Sequence, residues 1–392
     1  MISSQDRRCV AGVMSGTSLD GIDVAIADLQ GHGKDLAILN CDGATYPFSR
    51  ELRDALKQAA SQDQISVSDL SQLNVRLAYE YADAVQKTQE VRGMESHELD
   101  LVGSHGQTIR HIPDPSLIAG KYIRSTLQIG DPSTLAQLLD IPVIGDFRMA
   151  DMARGGQGAP LVPYFDYVVF IDTRETRGCL NIGGVANLTM LPANAEIEDV
   201  YGFDTGPGNL VIDSLCRHYL DLPYDEGGKI AQSGKVNESL LSECMDDQYF
   251  QERPPKSTGR EYLTHVFLDI FHRYSSHLSS ADIIATATAL TAKSIWHAYQ
   301  TFIMPNHRLN RLILSGGGAH NEELILLLTD YLGQSNHRII VETSDMHGIG
   351  IDSKEALCFA VLAHETANGI PTSIPSVTGA DGPAVLGKLC IP

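Results

Sequence analysis

The residues that could hold or move charge sit in a few short loops. "GVMSGTSLDGIDVAIADL" (12–29) places Ser15, Gly16, Thr17, Ser18, Leu19, Asp20 and Gly21 between two apolar runs. Glycine lets a backbone approach a ligand closely, and successive N–H groups flanked by hydroxyls can form an anion-binding nest. A carboxylate at Asp20 sits well beside a phosphate only with a divalent cation between them. An ordinary hairpin loop uses the same residue types, so this loop alone leaves the two readings even.

Two further glycine turns share the design. Gly183 and Gly184 lie between strand-like runs in "LNIGGVANLTML", and Gly316, Gly317 and Gly318 lie between a strand and a helix in "RLILSGGGAHNEELILLL". Two hairpin turns presenting N–H groups could grip a polyphosphate, and the GGG turn could pass under an adenine and ribose. Three such turns in this order point to a nucleotide cleft. Other nucleotide and hydrolase signatures are missing. "GPAVLGKL" (382–389) puts Leu389 where a P-loop needs a hydroxyl, no G-x-G-x-x-G follows a strand, and no G-x-S-x-G occurs.

"GFDTGPGN" (202–209) offers a catalytic carboxylate. Asp204 stands at a strand end before a Gly/Pro turn. Beside a phosphate site it is placed to take a proton from a nucleophile. Capping the turn is the other common use of Asp, and the three phosphate-type loops favour catalysis. "GSHGQTIRH" (103–111) gathers His105, Gln107, Thr108 and Arg110, suited to the hydroxyl, amide and carboxylate groups of a sugar-like ligand. "GDFRMAD" (145–151) adds Asp146, Arg148 and Asp151. Arg148 suits a substrate carboxylate or a structural ion pair equally. Glu355, near the start of the last long helix, either reaches the cleft or favours that helix end electrostatically. "KSTGREY" (256–262) is open between closure over substrate and a plain loop.

These loops need elements to hold them. Paired strands are expected on both sides of residues 15–20 and of Gly183–Gly184. Leu70, Leu73, Leu77, Tyr81, Ala84 and Val85 recur at helical spacing, which predicts a long helix over 67–92. Helices are also expected over 281–303, after Gly318, and over 352–369. Residues 99–111 read as a strand running into a polar loop. Strand pairs alternating with helices mean α/β with mixed sheets. No long-period repeat is visible.

The chain has 392 residues, with 29 basic against 49 acidic side chains and a net charge of −20. That charge argues against nucleic acid or an anionic membrane as main partner. Seven cysteines, scattered and without C-x-x-C, fit a reducing cytosol and suggest neither disulfides nor zinc. No apolar run approaches membrane-spanning length, and a cytoplasmic location is expected.

Taken together, "GVMSGTSLDGIDVAI", "SHGQT", "LQIGD", "GDFR", "GGQGAPLVP", "NIGGVANLT", "FDTGPGN", "KSTGREY", "GGGAHN" and "SVTGA" resemble the anhydro-N-acetylmuramic acid kinase family, in order and over nearly the whole chain. The resemblance implies the two-domain sugar kinase/Hsp70/actin (ribonuclease H-like) fold around a central ATP cleft. Domain I would be 1–145 plus about 370–392, and domain II 146–369. It implies ATP-dependent opening of 1,6-anhydro-N-acetylmuramic acid by water, with the freed 6-oxygen taking the γ-phosphoryl group, in peptidoglycan recycling. Asp204 would be the base. Gly16, Thr17, Ser18, Leu19, Asp20 and Gly21 would hold the ATP phosphates, with Asp20 near Mg²⁺ or a metal-bound water. Gly183 and Gly184 would form the second phosphate hairpin, and Gly316, Gly317, Gly318 and Asn321 the adenosine turn. His105, Gln107, Asp146, Arg148 and Glu355 would face the sugar. A homodimer is left open. Two other readings compete: a kinase for an ordinary amino sugar on the same fold, and a sugar-indifferent ATPase of the Hsp70/actin type.

Overall fold

Two meanders of the same design carry the candidate loops. β1 (Arg7–Met14), β2 (Gly21–Gln30) and β3 (Ala37–Pro47) pair antiparallel in turn. β4 (Leu101–Ser104) then pairs parallel to β1. A hairpin of β5 (Gln107–Ile118) and β6 (Lys121–Ile129) follows, and β7 (Val143–Gly145) pairs parallel to β4. Later, β8 (Arg177–Ile182), β9 (Val185–Leu191) and β10 (Tyr201–Pro207) form the second meander. β11 (Arg311–Ser315) lies parallel to β8, and β12 (Ile340–Thr343) parallel to β11. β13 (Lys388–Cys390) closes the first sheet against β7. This is a computed structural model, and it describes residues 6–16, 19, 21–61, 64–254 and 256–392.

The sheet orders are β13-β7-β4-β1-β2-β3 and β10-β9-β8-β11-β12. Each contains an antiparallel three-strand meander extended by two parallel strands, and β13 adds a sixth, antiparallel strand to the first. The α/β class with mixed sheets is as expected. The duplication was invisible in the sequence because a shared strand order needs no shared side chains, only matching hydrogen-bond direction and apolar alternation.

The first unit comprises Met1–Val169 and Gly348–Pro392. Its sheet is covered on both faces. The helix Val67–Val91, capped by Ser66 whose hydroxyl accepts from the Asp69 N–H, buries Leu77, Ala78, Tyr81 and Val85 in one core with Ala11 and Val13. The other face meets the helix Lys354–Ala367. A Cβ on Gly12 would lie 1.8 Å from the Ala356 carbonyl oxygen, and one on Gly103 2.1 Å from that of Phe359. Only glycine permits a helix to lie this close to a strand. At the start of that helix Lys354 pairs with Asp166 at 2.6 Å, both side chains 2% exposed.

The second unit is Phe170–His347. The helix Ser280–Ala298 is its buried spine, with Ile284, Ala287, Leu290 and Ala292 fully enclosed. The helix Asn209–Leu220 packs beside it.

Two expectations differ from the structure. The units divide at 169/170 and 347/348, not at 145/146 and 369/370. The reason is packing: Arg148 bonds to His105, Tyr164 to Glu365 and Asp166 to Lys354, and the helix Lys354–Ala367 packs on β1, β2 and β4. Asp146, Arg148 and Glu355 therefore belong to the first unit. Residues 103–111 are not an extended loop, because Gln107 already begins β5. Pro113 and Pro115 hid that strand. It accommodates them with a register shift between Ile112 and Ser116. Among the described residues, no helix is long and apolar enough to cross a membrane.

Candidate active site

Within the second unit, the two glycine turns lie side by side, because β8 and β11 run parallel and end at the same edge of the sheet. Ligands of α/β proteins characteristically bind beyond such carboxyl ends. The fit is close. A Cβ on Gly316 would meet Asn181 Oδ1 at 2.5 Å, and one on Gly318 the Ile182 Cγ2 at 2.2 Å. Those glycines serve the packing of one turn on the other. Gly184 and Gly317 differ. They are exposed, and an added Cβ would find nothing nearer than 3.8 Å and 3.6 Å respectively. They form an open, side-chain-free cradle of the kind a nucleotide fills. Both carbonyls of the first turn are occupied: Gly183 accepts from Asn209 N (2.8 Å), and Gly184 from Gly208 N (3.0 Å) and Leu210 N (3.2 Å). The "GPGN" turn is thereby locked to the "IGG" turn.

Asp204 enters the site from this same turn, four residues before Gly208. β10 changes register between Asp204 and Gly206, the local kink that a bulge gives a strand. The carboxylate is half-buried. Its Oδ2 accepts from the Thr258 N–H at 2.9 Å, while Oδ1 has no hydrogen-bond partner among the described residues. Burial raises its pKa to about 6, against the lowering effects of the Thr258 N–H and the nearby Lys256 ammonium. One oxygen tied and one open, with an affinity for protons near neutrality, suits a general base.

The first unit supplies a second constellation. β4 ends at Ser104, and the two-residue link His105–Gly106 leads into β5. His105 is buried, its ring 4.6 Å from that of Phe359. Its Nδ1–H donates to the Gly106 carbonyl at 2.8 Å. Its Nε2 accepts from Arg148 Nε at 3.0 Å and Nη2 at 2.9 Å. Burial first, and the Arg148 charge second, hold the imidazole down to about 3, so it is neutral at physiological pH. Both ring nitrogens are thus spent. His105 orients Arg148 and presents no free polar atom to a ligand. Arg148 itself is lowered to about 10 by burial, opposed by the Glu355 carboxylate. Gln107 is 1% exposed, and its Oε1 lacks a partner among the described residues. A buried amide left half-satisfied is what a polar ligand would complete.

The remaining expected residues are placed as follows. Asp146, in a left-handed conformation at φ 58, accepts from Lys388 Nζ. Asn321 caps the helix Glu322–Leu332, its Oδ1 accepting from Leu324 N at 3.0 Å. Its side-chain oxygen is thus engaged in the cap. Leu19 is buried at φ 59 and donates its N–H to the Gly16 carbonyl, a tight turn. A Cβ on Gly21 would meet the Tyr46 oxygen at 2.6 Å, so this glycine serves packing on β3. Thr17, Ser18 and Asp20 lie outside the described residues. Among those described, no group of three metal-ligating side chains forms.

The family model for anhydro-N-acetylmuramic acid kinase matches residues 8–392. The chain belongs to the anhydro-N-acetylmuramic acid kinase family. It is similar to the anhydro-N-acetylmuramic acid kinase of Salinibacter ruber, at 46% identity over 99% of this chain and 97% of that relative. It is also similar to those of Caldanaerobacter subterraneus subsp. tengcongensis, at 39% over 100% and 98%, and of Bacillus cereus, at 41% over 98% and 99%.

Asn181, Asn209 and Thr378 of this anhydro-N-acetylmuramic acid kinase family chain escaped the sequence reading. Asn181 and Asn209 line the junction of the glycine turns. Asp151, fully buried, accepts from Thr378 Oγ1 (2.7 Å) and Gly158 N (2.8 Å), tying "GGQG" to "SVTGA". The signal for Asn209 was present, since it ends "DTGPGN". Nothing local marks Thr378, which reaches Asp151 across 227 residues.

Proposed function

We propose that this chain is an ATP-dependent kinase that opens 1,6-anhydro-N-acetylmuramic acid with water and phosphorylates its 6-oxygen. The products are N-acetylmuramic acid 6-phosphate and ADP, in peptidoglycan recycling in the cytoplasm. Family membership supports the activity, and the geometry of Asp204 is the observation that carries the chemistry. Water is a poor nucleophile toward an acetal. The open Oδ1 of Asp204 takes one proton as the water oxygen bonds to C1. The C1–O6 bond breaks, and O6 takes the γ-phosphoryl group, which relieves the charge left on it. Gly183, Gly184 and Gly317 give the phosphates and adenosine a cradle without side chains. Gly16 to Gly21 complete phosphate binding, with Asp20 toward Mg²⁺. Arg148, steadied by His105, pairs with the substrate carboxylate. Glu355, Gln107 and Asp146 supply the remaining polar contacts.

The test is ADP release from Mg²⁺-ATP with and without the anhydro-sugar, with the product weighed. Sugar-dependent ADP and a product heavier by one water and one phosphoryl group support the reading. Turnover only with an open amino sugar would replace it with an ordinary sugar kinase. Turnover indifferent to sugar would leave an ATPase of the Hsp70/actin type.

A further inference from the structure

The segment Lys256–Thr258 lies along the outer edge of the second sheet. β10 is an edge strand, so one side of its backbone is free to pair with another segment. Asp204 N donates to the Lys256 carbonyl at 3.1 Å. A regular edge pairing would return an N–H to the Asp204 carbonyl. Here the Thr258 N–H goes to the carboxylate instead, at 2.9 Å. The Asp204 carbonyl takes the Tyr249 hydroxyl at 2.6 Å. The side chain has replaced its own backbone in the ladder, which pins Oδ2 to the edge and leaves Oδ1 outward. Lys256 completes the cluster. Its Nζ donates to the Tyr249 carbonyl at 2.8 Å and lies over the rings of Tyr249 (4.3 Å) and Phe302 (5.1 Å). A cation held on two aromatic faces has a defined position.

We propose that Lys256–Thr258 is a strap that sets both the orientation and the acidity of the Asp204 carboxylate, with Lys256 and the Thr258 amide as positioning groups. It rests on the reading of Asp204 as the base. The Thr258 N–H and the Lys256 charge both favour the ionised form and oppose the effect of burial. Other titratable groups face Lys256: Glu252 and Tyr249 from the preceding turn, and His297 from the helix Ser280–Ala298. Glu252 raises Lys256 and thus keeps it charged, although burial lowers it to about 8.

Removing the charge raises the Asp204 pKa and depopulates the base at neutral pH. Lys256→Met should shift the acid limb of kcat/KM for the anhydro-sugar upward by about one pH unit, with KM for ATP unchanged. Lys256→Arg should restore most of it. Thr258→Ala keeps the amide and should be near wild type. Thr258→Pro removes it and should lower kcat at least about tenfold, since a hydrogen bond to a charged group is worth about 1.5–3 kcal/mol. The full-length protein with ¹³C-labelled Asp carboxyls gives an activity-free readout. The Asp204 resonance, assigned by its loss in Asp204→Asn, should titrate higher in Lys256→Met. An unmoved resonance and acid limb in Lys256→Met would overturn the strap whatever Thr258→Pro does. Full turnover in Asp204→Asn would instead overturn the base reading, while a moved resonance would still uphold the strap.

Discussion

At the scale of single residues, the constellation in each unit is set by how hydrogen-bond capacity is spent. His105 gives both nitrogens away, to Gly106 and to Arg148. Its replacement by Leu should free the guanidinium and raise KM for the anhydro-sugar about tenfold or more, with KM for ATP unmoved. His105→Gln, which keeps an acceptor near the Nε2 position, should recover part of the loss in steady-state kinetics. Asp204 is an opposite case, a carboxylate kept short of partners. Its raised pKa means that below about 6 it holds a proton and cannot accept another. kcat/KM should therefore fall as pH drops through about 6, about tenfold per unit. The same raised pKa makes the folded state bind this proton more tightly than the unfolded chain does. Its contribution to stability is then favourable at low pH and lost as pH rises through about 6. Asp204→Asn should abolish turnover and leave ATP binding intact. It should also raise Tm at pH 8 but not at pH 3, below the ordinary carboxylate pKa, read by calorimetry.

At the scale of elements, the close approach of Lys354–Ala367 to β1 and β4 governs the first unit. Gly12 and Gly103 have no room for a methyl group, and what stands in the way is helix backbone, which cannot rotate aside. Gly103→Ala should cost about 3 kcal/mol, the upper end of overpacking penalties, as a lowered denaturation midpoint. The same contact carries chemistry, because Glu355 sits in the first turn of that helix and acts on Arg148. A shift of the helix moves a charge beside Arg148. The sequence showed this helix plainly, since residues 352–369 read as one. It did not show which sheet the helix covers.

At the scale of the whole molecule, the chain leaves the first unit at residue 169 and returns at 348. The returning segment provides β13 and one entire covering layer of the first sheet. A chain ended after His347 should therefore leave Val10, Ala27 and Leu101 without cover. Its first unit should lose near-UV circular dichroism and become sensitive to protease. The Lys354–Asp166 pair crosses the same join between early and late sequence. Lys354→Met alone should cost about 3–5 kcal/mol, because it strands a buried carboxylate.

The amino-acid order by itself determined the class of fold, the paired glycine turns of the second unit, a carboxylate before a turn at Asp204, and the family. These depend on short runs: an alternation of apolar residues, glycines where a backbone must come close, and a carboxylate before a turn. Tertiary structure decided the rest, because each remaining feature joins residues far apart in the chain. The imidazole of His105 became a support only when β7 brought Arg148 to it. Lys256 and Thr258 gained a role only when their segment met the edge of β10. The boundaries of the units moved because burial of the late helix on the first sheet outweighs its position near the end of the chain. Hydrogen-bond partners and packing neighbours are set by the folded path, and local composition carries no record of them.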